Sequence, residues 1–116
     1  MKMRHVTIHS KDLAASIKFY QDVAGLKVQE DFRNSGGLPI VFLADAAGDT
    51  CVELIENAEQ AYTGSGLSIG FQVADVEAYH QELTAKGLSP TAIISPAPQV
   101  KFFFVTDPNG VTVQFI

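Results

Sequence analysis

The chain has 116 residues, of which 47% are hydrophobic and 18% charged, with a formal net charge of -5. That is the length of one ordinary domain with enough apolar material to fill a core, which excludes an intrinsically disordered chain. The acidic balance, with no Lys/Arg cluster, argues against nucleic acid or an anionic membrane surface as partner. No apolar run approaches the roughly 20 residues of a membrane span. The N-terminal "MKMRHVTIHS" lacks the apolar stretch of a signal peptide. The single cysteine, Cys51, cannot form an internal disulfide. A cytoplasmic protein is expected.

"MRHVTIHS" alternates with period two, placing Val6 and Ile8 on one side and His5, Thr7 and His9 on the other. It predicts a strand with one apolar face. A helix is predicted next, with Leu13, Ile17, Tyr20 and Val23 at helical spacing, Ser10 or Asp12 as cap and Gly25 as stop. "LKVQEDF", "PIVFLAD" and "TCVELIE" read as three strands separated by the turns "NSGG" and "AAGDT". Residues 57–66 form a polar, Gly-containing linker. "LSIGFQV" then predicts a strand, and a helix follows with Asp75 as cap, Val76, Tyr79 and Leu83 as apolar stripe and Gly87 as stop. "PTAIIS" predicts a strand broken by "PAPQ". "VKFFFVTD" and "VTVQFI" predict the last two, joined by an Asp-Pro-Asn-Gly turn.

The order is therefore βαβββ twice, an α+β domain of two units, about 1–57 and 66–116. Overlaying the halves puts Asp12 on Asp75 and Gly25 on Gly87. His5 then falls on Ser68, and Glu53 on Gln114. Each of these four belongs by parity to the polar face of its strand. Two sheets with helices on one face each could turn their other faces together and form a cup floored by these residues. Phe42 and the Phe102–Phe104 run would add apolar wall, and Gly70 would leave room above the floor. Candidate ligand-binding residues are Thr7, Phe42, Cys51, Ser68, Gly70 and Gln114. His9 and His80 read as surface residues, and Cys51 as a small wall residue rather than a reactive thiol. No phosphate-binding Gly-rich loop, Ser-His-Asp pattern or nucleotide fingerprint is present.

Across nearly its whole length the chain resembles the vicinal oxygen chelate superfamily, the group of glyoxalase I, bleomycin-resistance proteins, extradiol dioxygenases and small epimerases. The resemblance is carried by "HVTIHSKDLAASIKFYQDVAGL", "VELIE" and "DPNGVTVQFI". It implies a metal held by one residue from the first and last strand of each unit. His5 and Glu53 match the usual histidine and glutamate ligands. Ser68 and Gln114 depart from the usual histidine and glutamate, although the resemblance allows glutamine in one ligand slot of some glyoxalases.

The implied metal set is therefore His5, Glu53 and Gln114, for Zn, Ni, Fe or Mn, with Glu53 as the remaining catalytic base. A hydroxyl and a neutral amide are weak partners for such ions, and an amide cannot accept a proton at neutral pH. The sequence thus favours a metal-free pocket that binds a small organic molecule, in a homodimer. The alternative is a metal-dependent lyase, isomerase or epimerase. Glyoxalase I-type turnover is disfavoured because Gln114 removes a carboxylate.

Overall fold

The computed structural model describes all 116 residues, which divide into two compact units, Met1–Thr63 and Gly64–Ile116. Unit one contains β1 (His5–Ser10), α1 (Leu13–Asp22), β2 (Lys27–Asp31), β3 (Ile40–Ala44) and β4 (Cys51–Glu56), then a short 3-10 turn at Ala58–Gln60. Unit two contains β5 (Ser68–Phe71), α2 (Val76–Ala85), β6 (Ile94–Ala97), β7 (Val100–Thr106) and β8 (Thr112–Phe115). The expected α+β order of βαβββ twice is what forms.

Each unit holds a four-stranded mixed sheet, ordered β1-β4-β3-β2 in the first and β5-β8-β7-β6 in the second. The first and last strands of each unit lie side by side and parallel, while the other neighbours are antiparallel. The parallel pair requires a crossover that spans the sheet, and the helix plus the two intervening strands supply it.

Both helices begin as the sequence predicts. Asp12 Oδ1 accepts the Ala15 amide at 3.0 Å, and Asp75 Oδ1 accepts the Ala78 amide at 2.9 Å. Each carboxylate satisfies one of the amides that a first helical turn leaves unpaired. Ser10 serves instead inside the unit, its hydroxyl bonded to that of Ser16 at 2.8 Å. Both helices end on a glycine in the left-handed region, Gly25 at φ 68° and Gly87 at φ 87°.

Strand parity sorts the side chains. In unit one Ile8, Val41, Leu43, Val52 and Leu54 are buried, as are Leu13, Ile17 and Tyr20 of α1, which packs on β4. In unit two Phe103, Val105, Val113 and Phe115 are buried with Leu83 of α2. The Phe102–Phe104 run splits as a strand must: Phe103 packs against Phe115, ring centroids 5.5 Å apart, while Phe102 and Phe104 meet edge to face on the other side of β7.

Two expectations are corrected. β6 starts at Ile94, not Pro90, and runs through Pro96, with the turn at residues 98–99. An edge strand tolerates proline because its outward amide has no ladder partner to lose. Upstream of β6, Thr91 is diverted: its amide bonds Phe104 O at 2.9 Å and its hydroxyl accepts the Phe104 amide at 3.0 Å. His80 is not a solvated surface residue. It is half-buried, packs edge-on against Phe103 at 5.0 Å, and Nε2–H donates to Thr91 O at 2.8 Å.

Candidate functional site

The pairing register of unit one gathers chemistry onto the sheet face turned away from α1. His5 pairs with Cys51, Thr7 with Glu53, and Phe42 with Glu53 from the other side. Five predicted site residues therefore converge on three adjacent strands. Glu53 is only 9% exposed. A carboxylate so desolvated needs partners, and it has two. The Thr7 hydroxyl donates to Glu53 Oε1, and His5 Nε2 lies 3.4 Å from the same oxygen. The imidazole stands edge-on to Phe42, centroids 5.5 Å apart and planes at 73°. Its other nitrogen, Nδ1, is buried without a hydrogen-bond partner.

Unit two presents the same positions with different groups. Ser68 pairs with Thr112, and Gly70 pairs with Gln114. A Cβ at Gly70 would come within 3.2 Å of Gln114 Oε1, so the missing side chain is what lets the amide lie against β5. Phe104 flanks Gln114 on β7. Gly70 leaves room here as the sequence suggests, and no ionised group is present among Ser68, Gly70, Phe104, Thr112 and Gln114.

In unit one His5 and Glu53 are donors of the usual metal-binding types, while Ser68 and Gln114 of unit two offer a neutral hydroxyl and amide. No three His, Cys, Asp or Glu side chains are grouped to hold a metal ion. Divalent zinc-type sites take three or four protein donors of these types. Glu53 Oε1 accepts the Thr7 hydroxyl, and a carboxylate has a second oxygen with acceptor capacity of its own. A ligating histidine ordinarily donates its second N–H to an acceptor that fixes the ring, whereas His5 Nδ1 has none. His9, by contrast, has its tautomer fixed: the Asn57 side-chain amide lies 3.3 Å from Nδ1, which must accept, leaving the proton on Nε2.

Beside this cluster lies a cavity of about 500 Å³ wholly within unit one. Phe42 and Cys51 line it, together with Lys2, Arg4, Gln29, Glu30, Ala47, Gly48 and Asp49. The volume is within the range of small-molecule pockets, roughly 300–1,000 Å³. Its charged rim is not among the residues expected from the sequence. Lys2 and Arg4 precede β1, and the chain is tied there to the 48–51 turn: Cys51 N bonds Arg4 O at 2.9 Å, and Thr50 Oγ1 bonds Met3 O at 2.7 Å. The sequence carries one hint of them, the alternate spacing of Lys2 and Arg4 just ahead of the strand. Cys51 is a free thiol, half-exposed, with Sγ 3.6 Å from Asp49 O.

Two four-stranded mixed sheets, each with one helix and a first-to-last parallel strand pair, define a duplicated βαβββ protein. The chain belongs to the Glyoxalase/Bleomycin resistance protein/Dioxygenase superfamily, whose model matches residues 2–115. It is 28% identical to the lactoylglutathione lyase of Haemophilus influenzae over 126 aligned positions, covering 100% of this chain and 92% of the relative. Among solved structures it resembles the trypanothione-dependent glyoxalase I of Leishmania major, with a TM-score of 0.81, 25% identity, and coverage of 100% of this chain and 86% of the other. It shares its fold with TnmS3, an antibiotic-binding protein from Streptomyces sp. CB03234, at a TM-score of 0.79 and 17% identity, covering 99% and 93% of the two chains. Its relatives thus span lyases and binding proteins on one scaffold. No helix is long and apolar enough to cross a membrane.

Proposed function

We propose that this chain binds a small organic molecule and lacks the four-ligand metal site of glyoxalase I. One observation carries the reading: Glu53 accepts a hydrogen bond from Thr7 and lies 3.4 Å from His5 Nε2, while its counterpart, Gln114, is an amide resting over Gly70. Thr7 and His5 give the Glu53 carboxylate partners within the protein. The cavity beside Phe42 and Cys51 supplies apolar contact for a ligand. The protein works as a cytoplasmic homodimer, its exposed Val28, Phe32 and Leu38 being candidates for burial between copies. Nucleic acid and membranes are not its partners.

The second reading is a metal-dependent lyase, isomerase or epimerase using His5, Glu53 and Gln114, with Glu53 as base. It is favoured by the convergence of His5 Nε2 and Glu53 Oε1 at 3.4 Å. Elemental analysis of protein purified without chelators separates the two. Less than a tenth of an equivalent of Zn, Ni, Fe or Mn supports the binding reading. A full equivalent that disappears in both His5→Ala and Glu53→Ala establishes the second.

A further inference from the structure

The charges around the unit-one cavity are unequally engaged. Arg4 is 71% exposed at its side chain, lies 3.7 Å from Glu30, and its guanidinium carbon sits 5.9 Å from the centre of the Phe42 ring. An exposed pair of that length exchanges readily with another anion. The Lys2 ammonium rests on the Gly48 carbonyl, a neutral acceptor that leaves its charge uncancelled. Glu53 accepts the Thr7 hydroxyl and faces His5. The opposing charges on the rim are Glu30, facing Arg4, and Asp49, on the exposed turn between β3 and β4. Two cations, one loosely paired and one resting on a neutral carbonyl, thus stand beside an aromatic ring that lines the cavity.

We propose that this cavity takes a planar aromatic molecule carrying a carboxylate or a similar acidic group, and that Arg4 is the residue that reads the anion. The proposal rests on the small-molecule reading above and adds the ligand's class. The ring meets Phe42, and the acid group exchanges for Glu30 on the Arg4 fork, where a planar guanidinium can hold two oxygens at once. Lys2 adds a point charge without geometric demand. Glu30 acts as an internal competitor that occupies Arg4 until the ligand arrives.

Three probes of one shape test this: 1-naphthoate, neutral 1-naphthamide and cationic 1-naphthylmethylammonium, each titrated into the full-length protein and followed by amide chemical shifts. The expected result is that naphthoate binds most tightly and shifts Phe42 and Cys51. Arg4→Gln should weaken it about tenfold, the cost of one charge-assisted contact. Glu30→Gln should strengthen it about threefold by removing the competitor, an effect that a purely structural role for Glu30 does not produce. Lys18→Gln, on α1 and outside the cavity lining, should leave it unchanged. If naphthamide or the ammonium probe binds as well as naphthoate, or if Arg4→Gln has no effect, the anion proposal is overturned and small-molecule binding stands. If none of the three shifts Phe42 or Cys51 at concentrations up to their solubility, the cavity reading falls with it.

Discussion

Thr7 and Gly70 are the same position in the two units: each is the third residue of its unit's first strand, and each is the register partner of the last strand's site residue, Glu53 for Thr7 and Gln114 for Gly70. The duplication has diverged in pairs. Where the last strand carries a carboxylate, the neighbour carries a hydroxyl to bond it. Where the last strand carries an amide, the neighbour carries nothing.

Thr7→Val removes the hydroxyl and keeps the shape. Glu53 Oε1 would lose its neutral donor at a site 9% exposed. The loss should be about 1–3 kcal/mol, the cost of an unmade bond to a buried charge. Urea unfolding of Thr7→Val, Glu53→Gln and the double variant reads it. A double variant that costs the sum of the two singles would show that the pair is not coupled.

In unit two the same logic predicts tolerance. Gly70→Ala places a methyl against Gln114 Oε1, the far end of a flexible side chain, and Gly70 does not have a positive φ. The amide can swing aside, so stability should change by less than about 1 kcal/mol. The side-chain NH₂ resonances of Gln114 should move. A loss above about 2 kcal/mol would mean that Gln114 is locked in place by contacts beyond Gly70.

Asp107 opens the turn that launches the last strand and is 4% exposed. Its Oδ1 accepts the amides of Asn109 and Val111, both at 2.8 Å, and its Oδ2 accepts the Asn109 side chain at 3.0 Å. Asp107→Ala should cost about 2–4 kcal/mol by stranding these donors. Asp107→Asn keeps one carbonyl oxygen for the two amides and should cost less than half as much. Equal losses for the two variants would show that charge, not acceptor geometry, holds the turn.

Leu83 is the one fully buried residue of α2, while Val76, two turns earlier in the same stripe, stays partly exposed. Leu83→Ala should destabilise by about 2–5 kcal/mol through lost burial and a residual cavity. Val76→Ala should cost about 1 kcal/mol or less, because half-exposed methyls forfeit little transfer energy. Thermal melts of the two variants decide this.

Asp31 is held to a pKa of about 2, chiefly by the side-chain hydrogen bonds from Arg33 and then by the Arg33 backbone amide. A depressed carboxylate stabilises the fold fully above its unfolded pKa, and that contribution is lost as pH falls towards about 2. A carbon-detected titration of the Asp31 carboxyl should show this low midpoint. In Arg33→Gln it should return towards the ordinary aspartate range, near about 3.9. Because both groups are exposed, salt should reduce the effect.

Much of this fold is legible in the sequence because local signals are short-range. Asp12, Asp75, Gly25 and Gly87 mark helix ends through chemistry contained within a few residues. Period-two alternation places His5, Thr7 and Glu53 on one face, since parity does not depend on partners. What escapes depends on contacts distant in sequence. The start of β6 is displaced because Thr91 is diverted to β7. His80 is half-buried because Phe103 and the Thr91 carbonyl, which engage it, lie outside α2. Lys2 and Arg4 join the cavity rim only because the N-terminal segment lies along the 48–51 turn. No local pattern states that.

Cys51 sits on the cavity wall as the only sulfhydryl in the chain, half-exposed and unpaired. A thiol-directed fluorophore would therefore attach at a single site, on the rim where a guest molecule would arrive. Conversely, any compound that fills the cavity should slow alkylation of the unlabelled protein. A chemical library could then be screened by the rate at which one sulfur disappears, whatever class of compound the cavity takes.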